Sequence, residues 1–302
     1  MRRPTLLLLA YLSLFVTSAL SAQSAKPADV LVVIHTVRGN LEKLYEASVQ
    51  DVPSIPTLTL TPRKPRHVYR KASEVFAKAQ TLRQLNGLKR NTLPTQPSSE
   101  ITPSNVRDLV SEIAADIKAL LPLYWTKASS GVPSKKDGVT PTDVYQGLNQ
   151  LSFLIDGLGI PGVVPNDVHA VSRLVHQDMS AIYETKKGTA FAARALTPVA
   201  GKSPGDVYNK AFELLEAIKA QTLANESWSI PGGIIMPNRD SGAINPAKVM
   251  ELTNNILAEL GSIKVMSGVT ASSSNDILSA GMTPSNVFDE LAAAQVILDE
   301  MR

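Results

Sequence analysis

Apolar residues recur along this chain at alternating steps of four and three. Counted from a proline, valine stands three residues on in eight segments, which begin at Pro27, Pro65, Pro103, Pro141, Pro165, Pro204, Pro246 and Pro284. Further apolar positions follow ten, fourteen and seventeen residues on. From Pro103 these are Ile113, Ile117 and Leu120; from Pro246 they are Ile256, Leu260 and Ile263. The position at seven is weaker, with Ser172 and Thr253 among its members. Offsets of 3, 7, 10, 14 and 17 make a heptad seam, the spacing of helices packed at about +20° in left-handed bundles. Each segment therefore predicts a helix of ~20 residues, ~30 Å long.

The proline marks where each helix starts. Thr102, Thr140, Ser203 and Thr283 precede it as N-caps, and proline suits the first helical position because its missing N–H has no partner to lose there. Two residues after the proline stands Asp143, Asp206 or Asn286, which completes a capping-box pattern. An apolar residue before the cap, such as Ile101 or Val139, pairs with the motif valine as a hydrophobic staple.

The intervals between successive prolines are 38, 38, 38, 24, 39, 42 and 38 residues. One short interval among seven divides the helices into two sets of four. The expected architecture is all-α: eight heptad-patterned helices from a ~38-residue repeat, arranged as two four-helix bundles over 26–160 and 161–302. The short turn around Gly159–Val163 predicts that helices four and five run antiparallel. The other connections are long and rich in Pro, Ser, Thr and Gly, unusual between bundle helices. A 16-residue extended segment spans ~50 Å, enough to run back along a helix and leave its neighbours parallel. An up-and-down order is the alternative. Val52, Ile55, Leu58, Ile230, Ile234 and Ile235 within these connections predict that they pack down on the helices.

Residues 1–22 predict an export signal. Met1-Arg2-Arg3 is basic, Leu6–Leu20 is an uncharged apolar run, and Ser21, Ala22, Ser24 and Ala25 are small. Loss of this segment removes Arg2 and Arg3 and lowers the formal net charge from +3 to +1. A nearly neutral chain offers no general attraction for nucleic acid. Cysteine is absent from the 302 residues, which excludes disulfides, zinc–thiolate sites, iron–sulfur clusters and cysteine nucleophiles. An exported chain without cysteine suits a bacterial periplasm or exterior. No further segment reaches the ~18 apolar residues of a membrane span.

Chemistry-bearing motifs are few, and none calls for a cofactor. Gly201-Lys-Ser203-Pro-Gly205 matches the G-x-S-x-G nucleophile elbow, but that motif needs a strand before the serine, and Ser203 holds the N-cap slot of its repeat. His169 and His176 lie seven apart on one helix face; a metal site there needs a carboxylate or histidine from another helix. Aromatic residues follow the motif valine at Tyr69, Tyr145, Tyr208 and Phe288, placed to close helix starts against the long connections. One helix start departs from the repeat. Arg63, Lys64, Arg66, His67, Arg70 and Lys71 crowd a helix N-terminus, where the macrodipole normally attracts acid. These six are the candidate anion-binding residues, for a phosphate, a lipid head group or an acidic protein. The competing reading is a patch neutralised by Asp108, Glu112 or Glu42.

The expectation is an exported, non-enzymatic helical-repeat protein that acts as a binding, adaptor or structural module on a protein or anionic ligand. Its site is expected in the cleft between the two bundles, since domain interfaces favour ligand sites. A ligand-sensing bundle and a periplasmic hydrolase using Ser203 are the alternatives.

Overall fold

The computed structural model describes residues 24–55, 58–131, 133–192, 197–269 and 280–302. The expected export segment, residues 1–22, lies outside the described residues. The fold is all-α. Among the described residues there are eight α-helices and no strand: α1 Pro27–Ala47, α2 Pro65–Leu85, α3 Pro103–Leu120, α4 Pro141–Gly157, α5 Pro165–Lys187, α6 Pro204–Ala224, α7 Pro246–Met266 and α8 Pro284–Asp299. Every helix starts at the proline of its motif. None of them is long and apolar enough to cross a membrane.

The capping pattern explains why the chain enters helix at these points. At seven of the eight starts the backbone N–H of the cap residue donates to the side chain three residues on; Thr140 N reaches Asp143 Oδ2 at 2.7 Å and Ser203 N reaches Asp206 Oδ2 at 2.8 Å. The exception is α7, where Lys248 holds that third position and the Asn245 side chain alone caps, accepting from Lys248 N at 3.0 Å. At α2 the third position is His67, whose Nδ1 accepts from Lys64 N at 3.1 Å.

Helices α1–α4 bury one apolar core and α5–α8 another. In the first group α1 and α2 each pack on both α3 and α4 but not on each other, and the second group repeats this order with α5 and α6 each packing on α7 and α8. The first two helices of each group are therefore diagonal. Pro27, Pro65, Pro103 and Pro141, each with the valine three residues on, surround one shallow apolar dimple. The four prolines and valines of α5–α8 surround another. Four helix starts thus meet at one end of each group, so the helices of a group run parallel and the connections travel back along them. This sets aside the up-and-down order.

Parallel helices keep the heptad seam in register, and equivalent positions form layers of four. Val37, Val75, Ile113 and Leu151 make one layer and Val175, Leu214, Ile256 and Ala294 its counterpart, all eight fully buried. The polar seam residues are satisfied locally. Ser172 Oγ donates to His169 O at 2.9 Å and Thr253 Oγ1 to Val249 O at 2.8 Å, bonds that let hydroxyls sit in an apolar seam. The connections pack down in part: Ile55, Ile230 and Ile234 join the cores, whereas Val52 and Leu58 stay exposed.

Helices α4 and α5 share no packing contact despite the short link at 158–164. The two groups meet instead through α2 and α7, the helices whose third residue departs from the Asp/Asn pattern.

Candidate functional site: the cleft between the two helix groups

The six candidate anion-binding residues divide by direction. Arg63, Arg66 and His67 turn toward α7 and the connection before it. Arg66 Nε donates to Glu259 Oε2 at 2.8 Å, and its Nη1 and Nη2 donate to Pro231 O at 3.0 Å and Gly233 O at 2.6 Å. His67 Nε2 meets Glu259 Oε1 at 3.0 Å, and the same oxygen accepts from Ile235 N at 2.7 Å. Because His67 Nδ1 accepts from Lys64 N, its single proton sits on Nε2 and is donated to Glu259. Burial holds the His67 pKa below its ordinary value, partly opposed by the Glu259 hydrogen bond. Arg66, His67 and Glu259 are all buried.

The other residues of the cluster point elsewhere. Lys64 lies along the connection, so close that a Cβ added at Gly232 would stand 2.7 Å from its Cε; a φ of 74° also favours glycine there. Arg70 borders a small space beside Glu100 and Ser262, and its Nε has no hydrogen-bond partner. Lys71 bonds Glu74 Oε1 at 2.8 Å within its own group. The carboxylates that meet this cluster are therefore Glu259, Glu74 and Glu100, whose Oε1 stands 3.8 Å from Arg66 Nη1. Asp108 and Glu42 pair with Arg107 and Arg38 instead.

Arg63 leads to a sizeable cavity. Its Nη1 donates to Asn255 Oδ1 at 2.9 Å and its guanidinium lies 4.7 Å from the centre of the Tyr145 ring. It is only 5% exposed, yet its Nε has no hydrogen-bond partner, and neither has Thr61 Oγ1 nearby. Both residues line a cavity of about 320 Å³ between the connections 58–63 and 237–241 and the first half of α7. Its charged lining is Arg63, Arg239 and Lys248 against Asp240 and Glu251, three positive and two negative, a net of +1. Lys248 pairs with Asp240 at 2.8 Å, and Arg239 stacks 4.7 Å above the Phe212 ring. Glu251 Oε1 accepts from Tyr145 Oη at 3.2 Å; burial, with Glu251 adding to it, holds the Tyr145 pKa well above its ordinary value, so this hydroxyl stays protonated. Tyr208 Oη accepts from Asp240 N at 3.0 Å at the cavity wall. Two of the motif aromatics thus hold the cavity in shape.

The remaining candidates are placed simply. Ser203 is exposed; its Oγ accepts from Asp206 N at 3.2 Å and donates to Asp206 Oδ2 at 2.7 Å, the geometry of a cap. Ser203→Ala is expected to cost about 1 kcal/mol, and Ser203→Thr to leave stability nearly unchanged, both read from chemical denaturation. His169 and His176 do meet a carboxylate from another helix, Glu290 of α8, at 3.7 and 2.8 Å. Among the described residues, however, no group of three or more potential ligands is arranged to hold a metal.

Sequence reasoning missed Glu259, Asn255, Glu251 and Thr61. The available signal was the third helical residue: His67 and Lys248 are the two of eight that are neither Asp nor Asn, and they mark the two helices that meet. Compared with known proteins, the chain matches no family model, no curated protein and no solved structure.

Proposed function

We propose that this chain is an exported, non-enzymatic helical-repeat module that binds a small anionic ligand, carrying a carboxylate or phosphate, in the cleft between its two helix groups. The observation that carries the reading is the cavity of about 320 Å³ with Arg63 in its wall, a buried cation whose nearest hydrogen-bond partner is a neutral amide. That volume falls at the lower end of small-molecule sites, and such sites favour domain interfaces. Arg63 supplies positive charge and directional donors, and Thr61 supplies a hydroxyl free to turn toward an oxyanion. Within the same proposal, 26–160 and 161–302 are the units whose relative position the ligand stabilises. The hydrolase reading has less support, because the Ser203 hydroxyl is engaged by Asp206 at an exposed helix start.

The test is calorimetric titration of the full chain with inorganic phosphate and a panel of small mono- and dicarboxylates. At least one is expected to bind and to raise the melting temperature, since a ligand held only by the folded state stabilises it. Arg63→Gln is expected to weaken that binding at least tenfold, while Ser203→Ala leaves it unchanged. Binding that survives Arg63→Gln, or no binding by any member of the panel, overturns the proposal.

A further inference from the structure

Two residues other than glycine have left-handed backbone among the described residues: Val49 and Trp125, each with φ of 54°. Both are large and apolar, and they are 94% and 98% exposed. A Cβ in this conformation crowds the neighbouring carbonyl, and a branched or bulky side chain there is an outlier. The local motif is a common one. Val49 follows α1, where Gln50 N bonds back to Tyr45 O at 3.0 Å; Trp125 follows a short 3-10 turn at Leu121–Tyr124, where Thr126 N bonds back to Leu121 O at 3.2 Å. This six-residue closure ordinarily places glycine at the left-handed position. The chain does so itself at Gly87 after α2 and Gly268 after α7, where Leu88 N and Val269 N bond back to Arg83 O and Lys264 O at 2.9 Å. The fold would be served better by glycine at 49 and 125, and two apolar side chains stand there in water instead.

They stand at the same place. Because α1–α4 are parallel, their last turns share one end of the group. Tyr124 Oη donates to Asn86 Oδ1 at 2.7 Å, joining the turn that carries Trp125 to the end of α2. Leu85 and Leu123 are exposed beside them, at 58% and 47%. Lys89, Arg90 and Lys127 are exposed in the segments that leave this end. The nearby carboxylates Glu46, Asp116 and Asp156 are already engaged by Lys43, Arg83 and Lys78, and the further acid at this end is Asp51.

We infer that this end of the first helix group docks on the surface of an anionic lipid bilayer. Protruding apolar tips with a tryptophan fit the interfacial layer, where an indole keeps its ring in the acyl boundary and its N–H among head groups. The cations ringing the tips meet lipid phosphates, and apolar insertion combined with charge gives reversible surface attachment. This inference does not rest on the cleft, which is lined by other residues.

The test uses the full chain with vesicles of phosphatidylglycerol and phosphatidylcholine, and with phosphatidylcholine alone. The chain has two tryptophans, Trp125 and Trp228, and Trp228 is only 1% exposed, so Trp125 reports the surface. The apolar run Leu6–Leu20 contains no tryptophan and is silent in this readout. Trp125 emission is expected to shift to the blue and to be quenched by brominated lipid on the anionic vesicles. Lys89→Glu/Arg90→Glu/Lys127→Glu is expected to raise the lipid concentration needed at least tenfold. Trp125→Gly and Val49→Gly are expected to leave the melting temperature unchanged or higher. Unmoved Trp125 emission, an equal response on neutral vesicles, or a lower melting temperature in Trp125→Gly overturns the inference. Self-association that Trp125→Gly abolishes also overturns it, in favour of a second copy as the occupant.

Discussion

Glu259→Ala is expected to destabilise the protein by about 3–5 kcal/mol, measured by urea denaturation. Removing one partner of a buried ion pair leaves the other charge uncompensated. Here three donors lose their acceptor together: Arg66 Nε, His67 Nε2 and Ile235 N. Glu259→Gln keeps acceptor oxygen and is expected to cost less. If 26–160 and 161–302 are separate units as proposed, the alanine variant also melts in two steps. The same pair sets a pH dependence. Burial keeps His67 neutral in the fold, with its pKa below the ordinary 6.5. A base so shifted binds protons more readily in the unfolded chain, so stability is retained above about pH 6.5 and lost progressively below it. Protonating Nδ1 would also set a donor against Lys64 N–H. Melting temperature is expected to fall between pH 7 and pH 5, and His67→Gln to flatten that fall.

Ile113→Ala is the second large effect, at about 2–5 kcal/mol by the same measurement. Ile113 is fully buried in the layer with Val37, Val75 and Leu151, so truncation opens a cavity that helices fixed on every side cannot close. Leu85→Ala is the control. Leu85 is exposed at the end of α2, and its loss is expected to change stability by no more than about 0.5 kcal/mol. Equal losses in the two variants would show that the layers do not carry the fold.

Much of the fold was legible because caps and seams are local signals. Thr102, Thr140 and Ser203 with their prolines mark helix starts through bonds that close within four residues, and the valines of all eight motifs are buried where the heptad puts them. Helix direction was half legible: the long connections permitted a parallel order without requiring it. The partner of the basic cluster was not legible. Glu259 lies 193 positions from Arg66, and nothing local to Glu259 says which cation it will face. Lys71 and Arg66 look alike in the sequence, yet five residues of helix turn them toward different groups. The cavity was anticipated only as a cleft, since its walls come from connections whose course follows no period.

The parallel order carries a geometric obligation. Each returning connection must cover a helix length of ~30 Å, for which nine or ten extended residues suffice. The segments 48–64 and 225–245 hold 17 and 21 residues, well beyond that minimum. Their excess supplies Thr61 and Arg63 on one side of the cavity and Arg239 and Asp240 on the other. An antiparallel design of the same helices could close with short turns and would have no such surplus chain to shape into a wall. If the cavity binds as proposed, recognition in this architecture is written in slack: the layers tolerate little change, while the return segments can vary in length and side chain without disturbing them.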